Sequence, residues 1–226
     1  MTESAVRSYP NPDRAALIRA GNHVRKKLDG RSGVERVVSD KVEMFTVAGF
    51  LSVEECGALC RMIDRTARPS TVYDHGYPAD YRTSWSGDID GADPVVQAVV
   101  KRIDALLGIP GAYGEPVQGQ RYLAGQQYKQ HNDWFYTLAP YWKAEAKRGG
   151  QRCFTAMAYL NAVEEGGSTD FTRAGFSVPP QAGSLLIWNN ATTDGFPNED
   201  AMHAGTPVIK GAKYVITKWY RTRKWG

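Results

Sequence analysis

The spacing of apolar positions changes character midway along the chain. Up to about residue 110 it repeats at helical intervals; beyond that it breaks into short runs of aromatic and β-branched residues separated by Gly and Pro. Asn11-Pro12 supplies a cap and a first-turn proline ahead of Leu17, Ile18, Val24 and Leu28, with Gly30 as the stop. Ser52-Val53-Glu54-Glu55 is a capping box that opens a helix through Leu59, Met62 and Ile63. Asp93-Pro94 opens a third helix, whose stripe of Val96, Val99, Val100, Ile103, Leu106 and Leu107 runs to Gly108 and reads as a face packed on a sheet.

From Gln118 onward the pattern predicts strands over 118–123, 128–135, 153–161, 169–171, 175–178, 184–188, 204–209 and 213–221. The expected fold is α+β with a mainly β core: a double-stranded β-helix, or jelly-roll, cupin-like barrel, buttressed by N-terminal helices. In such a barrel, inward side chains from several strands can converge on one point. Lys213, Val215, Thr217, Trp219 and Arg221 share one face of the last strand, and that face is assigned to the interior. Residues 1–41 are read as an N-terminal helical extension and 42–226 as the main domain.

Composition narrows the function classes. A chain of 226 residues can bury one sizeable core. Its net charge of +4 is too mild to imply a nucleic-acid partner. Arg25, Lys26, Lys27 and Arg31 sit at the end of the first helix, where cations complement the dipole and face water. Neither an apolar leader nor a membrane-length apolar stretch is present, so a cytoplasmic protein without a membrane partner is expected. The three cysteines, an odd number, argue against a disulfide framework: Cys56 and Cys60 read as core or boundary thiols and Cys153 as a small buried hydrophobe.

The candidate chemistry is concentrated in His131-Asn132-Asp133, His203 and Lys213. Two imidazoles and one carboxylate on one side of a metal leave the other side open, the arrangement of non-haem Fe(II) oxygenases. In an extended strand residues i and i+2 project together, so His131 and Asp133 are expected to reach inward as a pair. His203 is the only histidine downstream of them and supplies the third ligand. Lys213 offers a fixed positive charge for the far carboxylate of a dicarboxylate cosubstrate.

The surrounding strings carry more. Tyr122, Gly125-Gln126, Tyr128 and His131-Asn132-Asp133 are followed by Gly149-Gly150-Gln151-Arg152, Thr155 and Tyr159-Leu160. Gly166-Gly167-Ser168-Thr169-Asp170-Phe171, Gly183-Ser184-Leu185, His203-Ala204-Gly205, Gly211-Ala212-Lys213 and Lys218-Trp219 complete the order. In order and spacing this resembles the catalytic domain of the prolyl 4-hydroxylases, within the Fe(II)/2-oxoglutarate-dependent dioxygenases. Phe50-Leu51-Ser52, Arg82-Thr83-Ser84 and Glu115-Pro116-Val117-Gln118 extend the likeness over roughly residues 42 to 223.

The resemblance implies Fe(II) with 2-oxoglutarate and O2 as cosubstrates, ascorbate as reductant, and release of succinate and CO2 as an unactivated C–H bond is hydroxylated. Its substrate would be a prolyl residue in a peptide or protein, or else a free small molecule. Lys213, Thr169 and Tyr122 would hold 2-oxoglutarate, and Tyr128 would lie beside cosubstrate or substrate. Arg152 and Trp219 would border the peptide groove, under a mobile loop around Arg82. No catalytic residue is expected beyond the metal site. Related halogenases lack the carboxylate that Asp133 keeps, which favours hydroxylation. The alternative is a non-catalytic cupin-like module with a structural or sensory metal, but such a site would need neither Lys213 nor open positions. Two segments stand outside the motifs. Trp134 to Trp142, followed by Lys143, Lys147 and Arg148, is aromatic and basic, suiting a carboxylated substrate as well as a proline-rich peptide. Asn189 to Pro197 is expected to form a flap over the site, or else a plain surface loop.

Overall fold

A computed structural model describes residues 8–72 and 77–226. The chain runs α1 (Arg14–Leu28), β1 (Glu35–Arg36), β2 (Met44–Val47), α2 (Val53–Thr66), β3 (Arg68–Pro69), β4 (Trp85–Asp88) and α3 (Pro94–Leu107). It continues with β5 (Gln118–Leu123), β6 (Tyr128–His131), α4 (Trp142–Arg148), β7 (Arg152–Tyr159), β8 (Glu165–Gly166), β9 (Thr169–Phe171) and β10 (Phe176–Val178). The last elements are β11 (Leu185–Asn189), β12 (His203–Gly205), β13 (Val208–Lys210) and β14 (Ala212–Arg221).

Each of the first three helices begins as its sequence dictates, except for the cap of α1. Ser52 and Glu55 form the reciprocal capping box of α2, and Asp93 accepts from Val95 N–H at α3, which closes on Gly108 in the left-handed conformation. At α1 the residue before the helix, Asp13, makes no capping bond and is used elsewhere.

The strands form a jelly roll of two facing antiparallel layers. The larger sheet has the order β1-β2-β11-β7-β14-β5-β4-β3, the smaller β10-β9-β12-β6, and β13 pairs with β8 at one end. Strand parity divides the core in two. Phe154, Ala156, Ala158, Leu185, Ile187 and Ile216 face outward, under Leu17 and Val24 of α1, Leu59 and Ile63 of α2, and Val99 and Ile103 of α3. The alternate residues Met157, Tyr159, Leu186, Trp188 and Val215 face the smaller sheet and meet Phe171. The central strands are thus buried on both faces, which is why they read as nearly continuous apolar runs.

Three expectations are corrected. The strand expected over 128–135 ends at His131, because beyond it no strand lies alongside; the side-chain amide of Gln151 instead accepts from Phe135 N–H (2.6 Å) and donates to its carbonyl (2.8 Å). The strand expected over 204–209 divides into β12 and β13 around Thr206-Pro207, since proline cannot donate to a ladder. The Asn189–Pro197 stretch does not cover the inner cavity but is tied to α1, through Asn11 to Gly195 O (2.7 Å) and Arg14 to Asp194 O (2.9 Å). Arg25 is also no solvated cation: it grips Glu43 at 2.5 Å. The three cysteines are free, and only Cys60 is partly exposed. Among the described residues no helix is long and apolar enough to cross a membrane.

Candidate metal and cosubstrate site

Between the layers lies a cavity of about 750 Å³, with His131, Asp133, His203, Lys213, Thr169 and Tyr122 on its walls. His131 and His203 are direct cross-strand partners in the β6–β12 ladder, which sets their rings 4.2 Å apart between centroids. Asp133 stands just past the end of β6, in a bend rather than a strand. It still reaches the histidines: one ligand atom of each of His131, Asp133 and His203 lies within 4.8 Å of the others.

Each donor is held by a partner behind it. His131 Nδ1 lies 2.8 Å from Lys129 O, and His203 Nδ1 lies 3.0 Å from Ala201 O. A carbonyl can only accept, so Nδ1 carries the proton on both rings and each Nε2 keeps its lone pair for a metal. Burial, reinforced by His203, holds His131 well below the usual histidine range and hence neutral. At Asp133 burial pushes the carboxyl up, but the two imidazoles, Arg152 and the Thr155 hydroxyl outweigh it, and it stays below the usual carboxylate range. Thr155 Oγ1 donates to Asp133 Oδ2 at 2.6 Å and accepts from Asn190 Nδ2 at 2.9 Å, which leaves Asp133 Oδ1 without a hydrogen-bond donor among the described residues. Two imidazoles that turn Nε2 toward the metal position and one ionised carboxylate suit Fe(II).

Lys213 projects from β14 into the same cavity and is only 2 % exposed. Its ammonium makes two long contacts, to Thr169 Oγ1 (3.4 Å) and Ser168 O (3.5 Å), and among the described residues no direct ion pair, although Asp170 acts on it from farther away. Burial pushes it down to about 7. The Tyr122 and Tyr159 rings flank it, 5.3 and 5.5 Å from Nζ, and the Tyr159 hydroxyl lies 2.6 Å from Thr169 Oγ1. A buried cation with no direct ion pair is costly unless an anion binds there.

The other expected residues border the outer half of the cavity. Tyr128 stacks on His131, with ring centroids 3.5 Å apart, and Arg82 lies 4.6 Å above the Tyr128 ring. Arg152 lies 4.1 Å over Trp219 and is gripped by Glu115 at 2.6 and 2.8 Å. Trp219 Nε1 is buried and unpaired among the described residues. The segment around Arg82-Thr83-Ser84, expected to move over the groove, is held against the start of β6: Arg82 forms an antiparallel bridge with Tyr128, and Thr83 N–H donates to Gln127 O at 2.9 Å.

Thr155, Asn190, Gln151, Glu115 and Tyr159 were not singled out as site residues. Glu115, Gln151, Thr155 and Tyr159 left a trace as members of matching strings, and Asn190 only as part of the Asn189–Pro197 stretch. Thr155 faces Asp133 because β7 pairs on both sides, with Thr155 opposite Trp188 and Trp219, and no local signal reveals that.

A profile described as the 2OG-Fe(II) oxygenase superfamily matches residues 117–221. Prolyl 4-hydroxylase 1 of Arabidopsis thaliana is 33% identical over 96% of this chain and 79% of its own length. Prolyl 4-hydroxylase 2 of the same plant is 31% identical over 80% of this chain and 68% of its own. Among solved structures, a viral collagen prolyl hydroxylase from Paramecium Bursaria Chlorella virus-1, in a 2OG complex, aligns with a TM-score of 0.62 and 26% identity, over 86% of this chain and 98% of that one. A Pseudomonas putida prolyl-4-hydroxylase shares the fold, with a TM-score of 0.57 and 21% identity over 92% and 99% of the two chains.

Proposed function

Because the chain belongs to the 2OG-Fe(II) oxygenase superfamily, as a prolyl 4-hydroxylase-like dioxygenase that uses Fe(II), 2-oxoglutarate and O2, we propose that it hydroxylates a prolyl residue of a peptide or protein, releasing succinate and CO2. His131 Nε2, His203 Nε2 and the Asp133 carboxylate are the residues that would hold Fe(II), and the donor set fits it. Bound iron and 2-oxoglutarate together supply the oxidising power that turns a C–H bond into C–OH.

The chain's own residues place the reactants. Lys213 and the Thr169 hydroxyl receive the distal carboxylate of 2-oxoglutarate, with Tyr122 beside them. The observation that carries this assignment is the buried Lys213, without a direct ion-pair partner among the described residues, in the cavity that also bears the three-residue cluster. Toward the mouth, the walls are lined by Tyr128, Phe135, Trp219 and Trp225. Flat aromatic walls suit the preformed extended helix of a proline-containing peptide. Trp219 Nε1 is a donor free to meet a substrate carbonyl. Arg152, already held by Glu115, fixes the Trp219 ring by stacking on it.

The test is anaerobic titration of the metal-free protein with Fe(II) and 2-oxoglutarate, followed at the visible metal-to-ligand charge-transfer band. Admission of O2 with a proline-containing peptide should then yield succinate and a peptide heavier by one oxygen. Folded, iron-loaded protein that develops no band would refute the cosubstrate site.

A further inference from the structure

With the cosubstrate site assigned, the outer half of the cavity keeps positive charge that the described residues do not answer. Among the described residues, the charged side chains on its walls are four cations, Arg82, Arg148, Arg152 and Lys213, and two carboxylates, Glu115 and Asp133. Fe(II) and the 2-oxoglutarate dianion cancel one another, so a surplus of two positive charges persists in the loaded site. Arg148 is exposed and leans on Glu145 at 3.6 Å, where solvent screens it. Arg82 is different.

The Arg82 guanidinium is half-buried and is held entirely by neutral acceptors: Thr71 O at 2.9 Å, Ser84 Oγ at 3.2 Å and, weakly, Gln118 Oε1 at 3.5 Å. The other arginines withdrawn from solvent, Arg25, Arg121, Arg152, Arg173 and Arg221, each meet a carboxylate. Arg82 meets none among the described residues. Its position is fixed: Ser84 is linked to Ser70 (3.0 Å) and Ser70 to Ser86 (2.7 Å), so a ladder of hydroxyls on β4 and the segment after β3 supports the head group. Its outer face lies on Tyr128, one aromatic layer from His131. The charge also acts inward. Burial pushes the phenols of Tyr122 and Tyr128 up, and Arg82 opposes it at both.

We infer that the substrate presents a carboxylate at the mouth of the cavity, received by Arg82. This rests on the hydroxylase reading of the cavity and specifies the chemistry of the peptide it takes. A planar guanidinium with a weakly used Nη2 edge is shaped for a carboxylate, and Tyr128 beneath it keeps the ion pair partly dry. The carboxylate is either an acidic side chain beside the target proline or the free carboxyl end of a chain finishing close to it.

The test uses end-capped peptides of one length that carry Glu, Gln or Lys next to a single proline, with a fourth that is uncharged and ends in a free carboxylate. Binding is read anaerobically on the Fe(II)- and 2-oxoglutarate-loaded protein by quenching of cavity tryptophans, and kcat/KM is read aerobically. The Glu peptide should bind roughly tenfold tighter than the Gln peptide, and the Lys peptide weaker still. If the free-carboxylate peptide binds tightest, the chain end is the source. Arg82→Glu should invert the Glu-to-Lys ratio, which is read within one protein and therefore survives a loss of overall activity. If neither the Glu peptide nor the free-carboxylate peptide binds tighter than the Lys peptide, the inference is overturned whether or not any of them is hydroxylated. Loss of the charge-transfer band would strike the hydroxylase reading instead.

Discussion

Lys213 is the residue at which burial and charge conflict most, and the conflict makes its role measurable. Without ligand, burial holds its ammonium at about 7. An unfolded lysine titrates near 10.5, so the charged form is a burden on the ligand-free fold that is complete below about 7 and disappears above 10.5. A bound carboxylate reverses the preference, and binding above pH 7 must take up a proton. The affinity for 2-oxoglutarate should therefore be flat below pH 7 and weaken by up to about tenfold per pH unit above it. Calorimetry at pH 8 in buffers of different ionisation heat should show the uptake, and a flat affinity from pH 6 to 9 would remove Lys213 from the pocket. Thr155 has the complementary task at the metal end. Thr155→Val removes the 2.6 Å donor to Asp133 Oδ2 and leaves Asn190 Nδ2 without its acceptor. Fe(II) affinity should fall about 10- to 100-fold, the usual effect of losing a ligand's supporting partner. Metal titration with unchanged affinity would show that Asp133 is oriented without it. The cluster of His131, Asp133 and His203, with Lys213 on the same cavity, was legible in the sequence, because imidazole, carboxylate and a strand lysine declare their chemistry wherever they stand. Thr155 stood in a matching string without a role, and Asn190 in a loop, since a threonine and an asparagine acquire this contact only from what the fold places opposite them.

At the scale of elements, α2 seats on the sheet over a pair of glycines. Gly87 of β4 and Gly119 of β5 are cross-strand partners, and a Cβ on Gly87 would come within 2.7 Å of the Ile63 backbone, while one on Gly119 would strike the Ile63 side chain. Backbone can yield only if the helix shifts, whereas a side chain can turn aside. Gly87→Ala should thus destabilise by roughly 1–3 kcal/mol and Gly119→Ala by less, in urea unfolding. Equal losses would mean that α2 moves as a body in both. The same contrast between local pattern and pairing explains which elements could be read in advance. The strands at 118–123 and 169–171 fall where alternation places them. Strands β1, β3 and β8 have two residues each, too few to carry a period, and exist only because a neighbour pairs with them. Asp133 teaches the same lesson at the site. Alternation along a strand predicted that it would point inward, and it does reach the histidines, but from a bend that Gln151 shapes and not from a ladder.

Across the whole molecule, the loop that carries Asp133 is braced by the two ends of the chain. Asp13, ahead of α1, is 2 % exposed; its Oδ2 accepts from Gln151 N–H at 2.7 Å and its Oδ1 from Arg223, beyond the last strand. Gln151 in turn clamps Phe135, two residues after Asp133. Behind it, buried Arg221 is shared between Glu145 of α4 and Glu115, the acid that also holds Arg152. The metal loop thus depends on contacts between segments remote in sequence, which explains why Asp13 forgoes its helix cap. The two partners of Asp13 should not matter equally. Asp13→Ala leaves the buried Gln151 N–H unpaired, a loss of about 1–3 kcal/mol, and by loosening the clamp it should shrink the gain in Tm that Fe(II) and 2-oxoglutarate confer. Arg223→Ala removes only the half-exposed partner, for which about 0–1 kcal/mol is expected, with the ligand-induced gain unchanged. Thermal unfolding of both variants, with and without ligands, decides the matter. If Arg223→Ala weakens the protein as much as Asp13→Ala, the ion pair between the chain ends is what holds the loop, and the backbone contact at Gln151 is incidental.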